Sequence, residues 1–96
     1  MRHQFVIAYD IADAKRLRQV YKLMLGFGDH VQLSVFLCEL SDRERAILEG
    51  RLSEIIHHRE DQVILVRLGP ATPESDTRIL SLGRPYSVRE RRSVVV

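Results

Sequence analysis

An α+β fold, an open sheet with two helices on one face, is what this sequence predicts, and three observations predict it. Two segments carry apolar residues at helical spacing behind recognisable caps, and the segments between them are apolar or β-branched with strand character. The order runs strand, helix, strand, helix, strand, with room for a hairpin inside the long middle segment. That order suits the split βαβ arrangement, a ferredoxin-like βαββαβ sheet. With 96 residues and 45% apolar content the chain supports one core and no second, so a single domain over residues 1–83 and a basic tail over residues 84–96 are expected.

The first strand covers residues 3–9. Phe5, Val6, Ile7, Ala8 and Tyr9 form an almost unbroken apolar run, which points to a central strand covered on both faces. It ends at Asp10. Asp13 then caps a helix reaching about Leu25, in which Leu17, Val20, Tyr21 and Met24 make one apolar stripe. Gly26 and Gly28 stop that helix. From His30 to Leu40 the period becomes two, with Val31, Leu33, Val35 and Leu37 on one face and Gln32, Ser34, Phe36 and Cys38 on the other. This reads as a strand able to continue through a second pairing partner.

Ser41 and Glu44 have the spacing of a capping box, and they open a helix whose Ala46, Ile47, Leu48, Leu52, Ile55 and Ile56 face the core. Residues 57–61 form an exposed exit from it. Residues 62–68 make a β-branched strand ended by Gly69 and Pro70, and a short strand is expected over residues 78–82.

The charge balance narrows the function. A net charge of +2 conceals a surplus of three in residues 84–96, where Arg84, Arg89, Arg91 and Arg92 face one Glu90. The rest of the chain is at minus one, so polyanion contact should be local. No apolar run approaches the roughly 20 residues that span a bilayer, and no signal-peptide pattern opens the chain, so a cytoplasmic location is expected. Cys38, the single cysteine, lies in a strand-like run and reads as a buried, inert thiol.

The strand tip at Asp10 places a carboxylate just before Asp13, Lys15, Arg16, Arg18 and Lys22. An acid able to hold a divalent cation beside bases able to hold phosphates suggests phosphodiester chemistry or nucleic-acid binding. Lys15, Arg18 and Lys22 are spaced to share one flank of the helix. The alternatives are plainer: Asp10 as punctuation of a turn, Asp13 as a cap only, the bases as a solvated helix face. Gly26-Phe27-Gly28 follows a helix instead of opening one, so it is no phosphate loop. His57 and His58 lack metal-ligand spacing, while His30 is a candidate for substrate contact. With 6% aromatic residues the chain lacks the stacking platform of a sheet that binds RNA bases.

One set of residues carries a family resemblance. Val6 to Ile11 with Asp13, then Arg16 and Arg18, then Gly26-Phe27-Gly28, Val31 to Phe36, and Leu40-Ser41 resemble the CRISPR-associated protein 2 family over about residues 4–68. The resemblance implies a homodimer with apposed sheets, each chain adding its last strand to the edge of its partner's sheet. It implies that the two copies of Asp10 meet at the two-fold axis and share one Mg²⁺, with Asp10 both metal ligand and catalytic residue. It implies nucleic-acid contact by Arg16 and Arg18, flanked by Lys15 and Lys22. Tyr9, Ser34 and Phe36 are expected in dimer or cleft packing. The implied role is spacer acquisition, with the dimer bridging the CRISPR integrase subunit and binding duplex DNA; the alternative is a Mg²⁺-dependent endonuclease acting on single-stranded RNA or duplex DNA. One departure stands out: where the family often has an arginine before the Val31-Gln32 pair, this chain has Asp29 and His30. In the tail, the arginines around Tyr86 suit a phosphate clamp and residues 93–96 suit strand addition to a partner.

Overall fold

The computed structural model describes residues 1–84, the side chains of residues 76 and 77 excepted. The elements are β1 (Arg2–Asp10), α1 (Ala14–Leu25), β2 (Asp29–Gln32), β3 (Val35–Ser41), α2 (Asp42–Ile55) and β4 (Gln62–Pro70), followed by a 3₁₀ turn, Ser75–Arg78. The four strands form one antiparallel sheet in the order β2-β3-β1-β4. This is the ferredoxin-like plan. The β1-α1-β2 and β3-α2-β4 crossovers run in opposite directions along the sheet and step to opposite sides, so the same right-handed rule puts both helices on the same face.

The helices form where their caps dictate. The Asp13 carboxylate accepts the Arg16 N–H at the start of α1, and Gly26 ends the helix with its N–H on Leu23 and Met24 carbonyls. At α2 the Ser41 hydroxyl takes the Glu44 N–H while the Glu44 carboxylate takes the Ser41 N–H, a complete capping box. Arg2 pairs with Glu44 at 2.6 Å. The backbone bond from Ser41 first, and Arg2 after it, hold the Glu44 carboxyl below its ordinary value. The core lies between helices and sheet: Phe5, Ile7 and Tyr9 of β1, Phe36, Cys38 and Leu40 of β3, Val20 and Met24 of α1, Leu48 and Leu52 of α2. Gly28 is buried against β3, where a β-carbon would lie 2.6 Å from the Leu37 carbonyl oxygen and overlap Cys38 Sγ.

Five expectations are corrected. The hairpin for which the middle segment left room falls inside the period-two run over residues 30–40, whose two faces are therefore not continuous: residues 33 and 34 form its turn, and Leu33 is 91% exposed. Ser34 therefore does not share a strand face with Phe36. Two strands of the right period on either side of a tight turn resemble one longer strand when only alternation is counted. β1 is central, but only one face is covered, because both helices lie on the same side. Ala46 and Ile47 are exposed, since the sheet contacts a stripe of α2 centred on Leu48 and Leu52. β4 continues through Gly69 and Pro70: Gly69, at φ 136°, permits a register shift opposite Gln4 and Phe5, and an edge strand tolerates proline. Residues 78–82 form no strand. Arg78 ends the 3₁₀ turn, and Leu80 and Leu82 pair with no strand among the described residues and are 91% and 98% exposed.

Candidate functional site

Alternation along the strands sorts side chains to two faces. Phe5, Ile7 and Tyr9 point to the helices, while Val6, Ala8 and Asp10 belong to the opposite face. The pairing of β1 extends that second face through Val35 and Leu37 of β3 and Ile64 and Val66 of β4. Ile64 and Val66 are 47% and 45% exposed, large values for apolar side chains in a sheet. At the end of this face far from Asp10, Arg78 reaches Gln4 at 3.1 Å and the Pro70 carbonyl at 2.8 Å. Gln4 is thereby 4% exposed; Leu37 is 7% exposed, and among the described residues the face is open chiefly along β4, at Ile64 and Val66.

Asp10 is exposed at the last position of β1, paired in the ladder with Gln62 of β4. Among the described residues no group of three His, Cys, Asp or Glu side chains gathers to hold a metal ion. Mg²⁺ usually takes one or two carboxylates, with waters and phosphate oxygens completing about six ligands. One exposed Asp10 fits as a single ligand, and a second copy of the chain would have to supply the other carboxylate.

The basic cluster on α1 divides sharply. Lys15, Arg18 and Lys22 are exposed and make no salt bridge among the described residues. Arg16 is turned inward. Its Nε lies 2.8 Å from Asp61 Oδ2, and its Nη2 lies 3.2 Å from Asp61 Oδ1 and 3.3 Å from Glu60 Oε1. Asp61 was expected in an exposed exit from α2, yet its side chain has no exposed surface. The Arg16 guanidinium first, then the His57 and Ala12 N–H groups, hold its carboxyl well below the usual carboxylate range. No local signal marks this residue, because its partner is 45 positions away.

Of the remaining candidates Tyr9, Phe36 and His30 lie on the helix side, and Ser34 lies in the hairpin turn. Tyr9 and Phe36 are core residues with ring centroids 6.2 Å apart. Burial, and Tyr21 after it, push the Tyr9 hydroxyl up to about 12. Ser34 is half-buried in the hairpin turn, where its carbonyl accepts the Tyr9 N–H at 3.1 Å. His30 packs its ring on Tyr21 and Phe36, with centroids 5.2 and 5.0 Å away, and its Nε2 meets the Leu33 carbonyl. It anchors the hairpin. Apart from Arg84, which is exposed, the tail arginines and the run 93–96 lie outside the described residues. No helix among the described residues is long and apolar enough to cross a membrane.

Comparison with known proteins adds the family. The model of the CRISPR associated protein Cas2 family matches residues 1–75. A CRISPR-associated endoribonuclease Cas2 1 of Rhodospirillum rubrum is 43% identical over 98% of this chain and 91% of its own length. A CRISPR-associated endoribonuclease Cas2 of Geobacter sulfurreducens is 40% identical over the full length of both chains. Among solved structures, Streptococcus pyogenes Cas2 at pH 6.5 superposes with a TM-score of 0.72 at 29% identity, covering 83% of this chain and 99% of that one.

Proposed function

This chain belongs to the CRISPR-associated protein Cas2 family, and from that premise we propose that it works in spacer acquisition as a homodimer that binds nucleic acid and bridges the CRISPR integrase subunit. The observation that carries this reading is the open sheet face. Val6, Ala8, Val35, Ile64 and Val66, around a Leu37 that is itself only 7% exposed, form one apolar surface over which no helix of the described residues lies, and a contiguous apolar patch on a small domain marks an interaction surface. Its chemistry is self-complementary, so a second copy covers it by a two-fold operation. Leu80 and Leu82, so exposed in one chain, fit a strand added to the partner's sheet edge. On the outside, Lys15, Arg18 and Lys22 offer charges that follow a phosphate backbone without reading sequence.

A second reading is a metal-dependent endonuclease. It is favoured by Asp10 lying exposed on the face to be apposed and by the endoribonuclease names of the similar proteins. Two Asp10 carboxylates would hold one Mg²⁺, which when bound polarises a phosphoryl oxygen and lowers the pKa of the attacking water. The chain's own part is to bring the carboxylates together and to grip the substrate backbone through α1. One experiment separates the readings: the protein and its Asp10→Ala variant are incubated with labelled duplex DNA and single-stranded RNA, in Mg²⁺ or chelator, following binding and cleavage together. Binding without cleavage in both proteins supports the scaffold. Metal-dependent cleavage lost in the variant supports the enzyme, and absence of binding by either protein rejects both readings.

A further inference from the structure

Asp61 immediately precedes β4, one position before the Gln62 that pairs with Asp10. Its carboxylate takes four donors, two on each oxygen. Oδ1 accepts from the Ala12 N–H at 2.9 Å and Arg16 Nη2 at 3.2 Å, and Oδ2 from Arg16 Nε and the His57 N–H, each at 2.8 Å. A carboxylate offers about four lone-pair sites, so none is left for water, metal or substrate. A fully sheltered charge is tolerable only with such a set of partners.

The donors come from three places: the link between Asp10 and α1, the first turn of α1, and the turn after α2. One sheltered group thus ties the backbone two residues beyond Asp10 to the start of the strand beside it. Arg16 is used up in the same knot, its side chain 22% exposed. We propose that Asp61 and Arg16 are positioning residues for Asp10: the Asp61–Arg16 clamp fixes the chain that carries the Asp10 carboxylate, and Arg16 acts on the site through Asp61 and not by touching phosphate. This rests on the reading of Asp10 as a metal ligand. It reassigns one base of the α1 cluster and leaves Lys15, Arg18 and Lys22 as the direct contacts.

The test uses Mn²⁺ alone as the probe, its binding to the full chain followed by the electron paramagnetic resonance of the free ion. Thermal melts ensure that every variant is assayed well below its midpoint. Asp10→Asn should abolish specific binding. Asp61→Asn and Arg16→Met should each weaken it about tenfold or more, a loss of the size seen when the support that orients a metal ligand is removed. The double variant should be no weaker than Asp61→Asn, because both substitutions break one clamp. A merely structural pair would lower the midpoint and leave Mn²⁺ affinity of the folded protein unchanged, and that result overturns the proposal. If Asp61→Asn does not fold, Arg16→Met against Arg16→Lys decides: the lysine variant, keeping a charge that can reach Asp61, should recover part of the affinity, and equal affinities in all three Arg16 forms overturn the proposal. If the wild type binds Mn²⁺ no better than Asp10→Asn, the reading of Asp10 as a ligand fails and the clamp's assignment falls with it.

Discussion

The two faces of the sheet are built from the same strands and have opposite fates. On the helix side Ile7 and Phe36 are wholly buried, and Phe5 and Leu40 are 4% and 2% exposed. On the other side, one residue along, Ile64 and Val66 keep nearly half their surface in water. Both faces are apolar in sequence, so composition does not separate them. What separates them is that the described residues form two α-helices and the handedness of the crossovers sends both to one side. The covered face is completed by the chain's own helices, whereas on the other face the apolar side chains of β4 stay uncovered among the described residues.

The largest effect should mark that boundary. Phe36→Ala on the covered face should cost about 3–5 kcal/mol in denaturant unfolding, while Ile64→Glu on the open face should leave the fold intact and abolish self-association in sedimentation equilibrium. A dimer surviving Ile64→Glu would break the contrast. Next, Gly28→Ala should cost about 1–3 kcal/mol, since the added carbon meets β3 backbone and Cys38; no change in midpoint would mean that the α1–β2 turn is looser than its packing indicates. Ser41→Ala, removing the cap of the helix that covers only one face, should cost about 1 kcal/mol by the same assay.

Acid should act at the ends of the sheet. Asp61 and Glu44 both have folded values lowered from 3.8 and 4.5. Their stabilisation is therefore complete above those ordinary values and is lost as pH falls below them toward the folded values. Melting temperature should drop from about pH 4.5 downward, and Asp61→Asn should flatten the lower part of that drop. The smallest effect concerns the outer surface of α1. Lys15→Ala or Arg18→Ala should each reduce the salt slope of duplex binding by about 0.9, whereas Arg16→Met should leave the slope unchanged. A reduced slope with Arg16→Met would return that residue to the phosphate contacts.

Much of this was legible in advance, and the reasons differ by element. Both helix starts could be read because Asp13 and the Ser41–Glu44 pair act within three residues of themselves. The strand at residues 3–9 was legible because five consecutive apolar residues have few other uses. The hairpin was allowed for in the long middle segment, but its turn at residues 33 and 34 could not be located, since no Asn-Gly or Asp-Gly marks it. At the candidate site, Asp10 could be picked out from its place after a strand, and Lys15, Arg18 and Lys22 from their spacing. Arg16 looked the same as Arg18 in sequence, and only Asp61 distinguishes them. The Asp61 clamp joins residues far apart in the chain, and no periodicity records such a pairing.

The sequence by itself determined the order of elements, both caps, the apolar stripes of the strands and the family to which they point. Those properties depend on backbone preference and on neighbours within a few positions, which a linear reading contains. Only the tertiary structure decided which sheet face is covered, where Asp10 stands on the open one, and which base of α1 is withdrawn from solvent. Those are consequences of where distant segments come to rest: a carboxylate with no exposed surface must gather its partners from wherever the fold brings them.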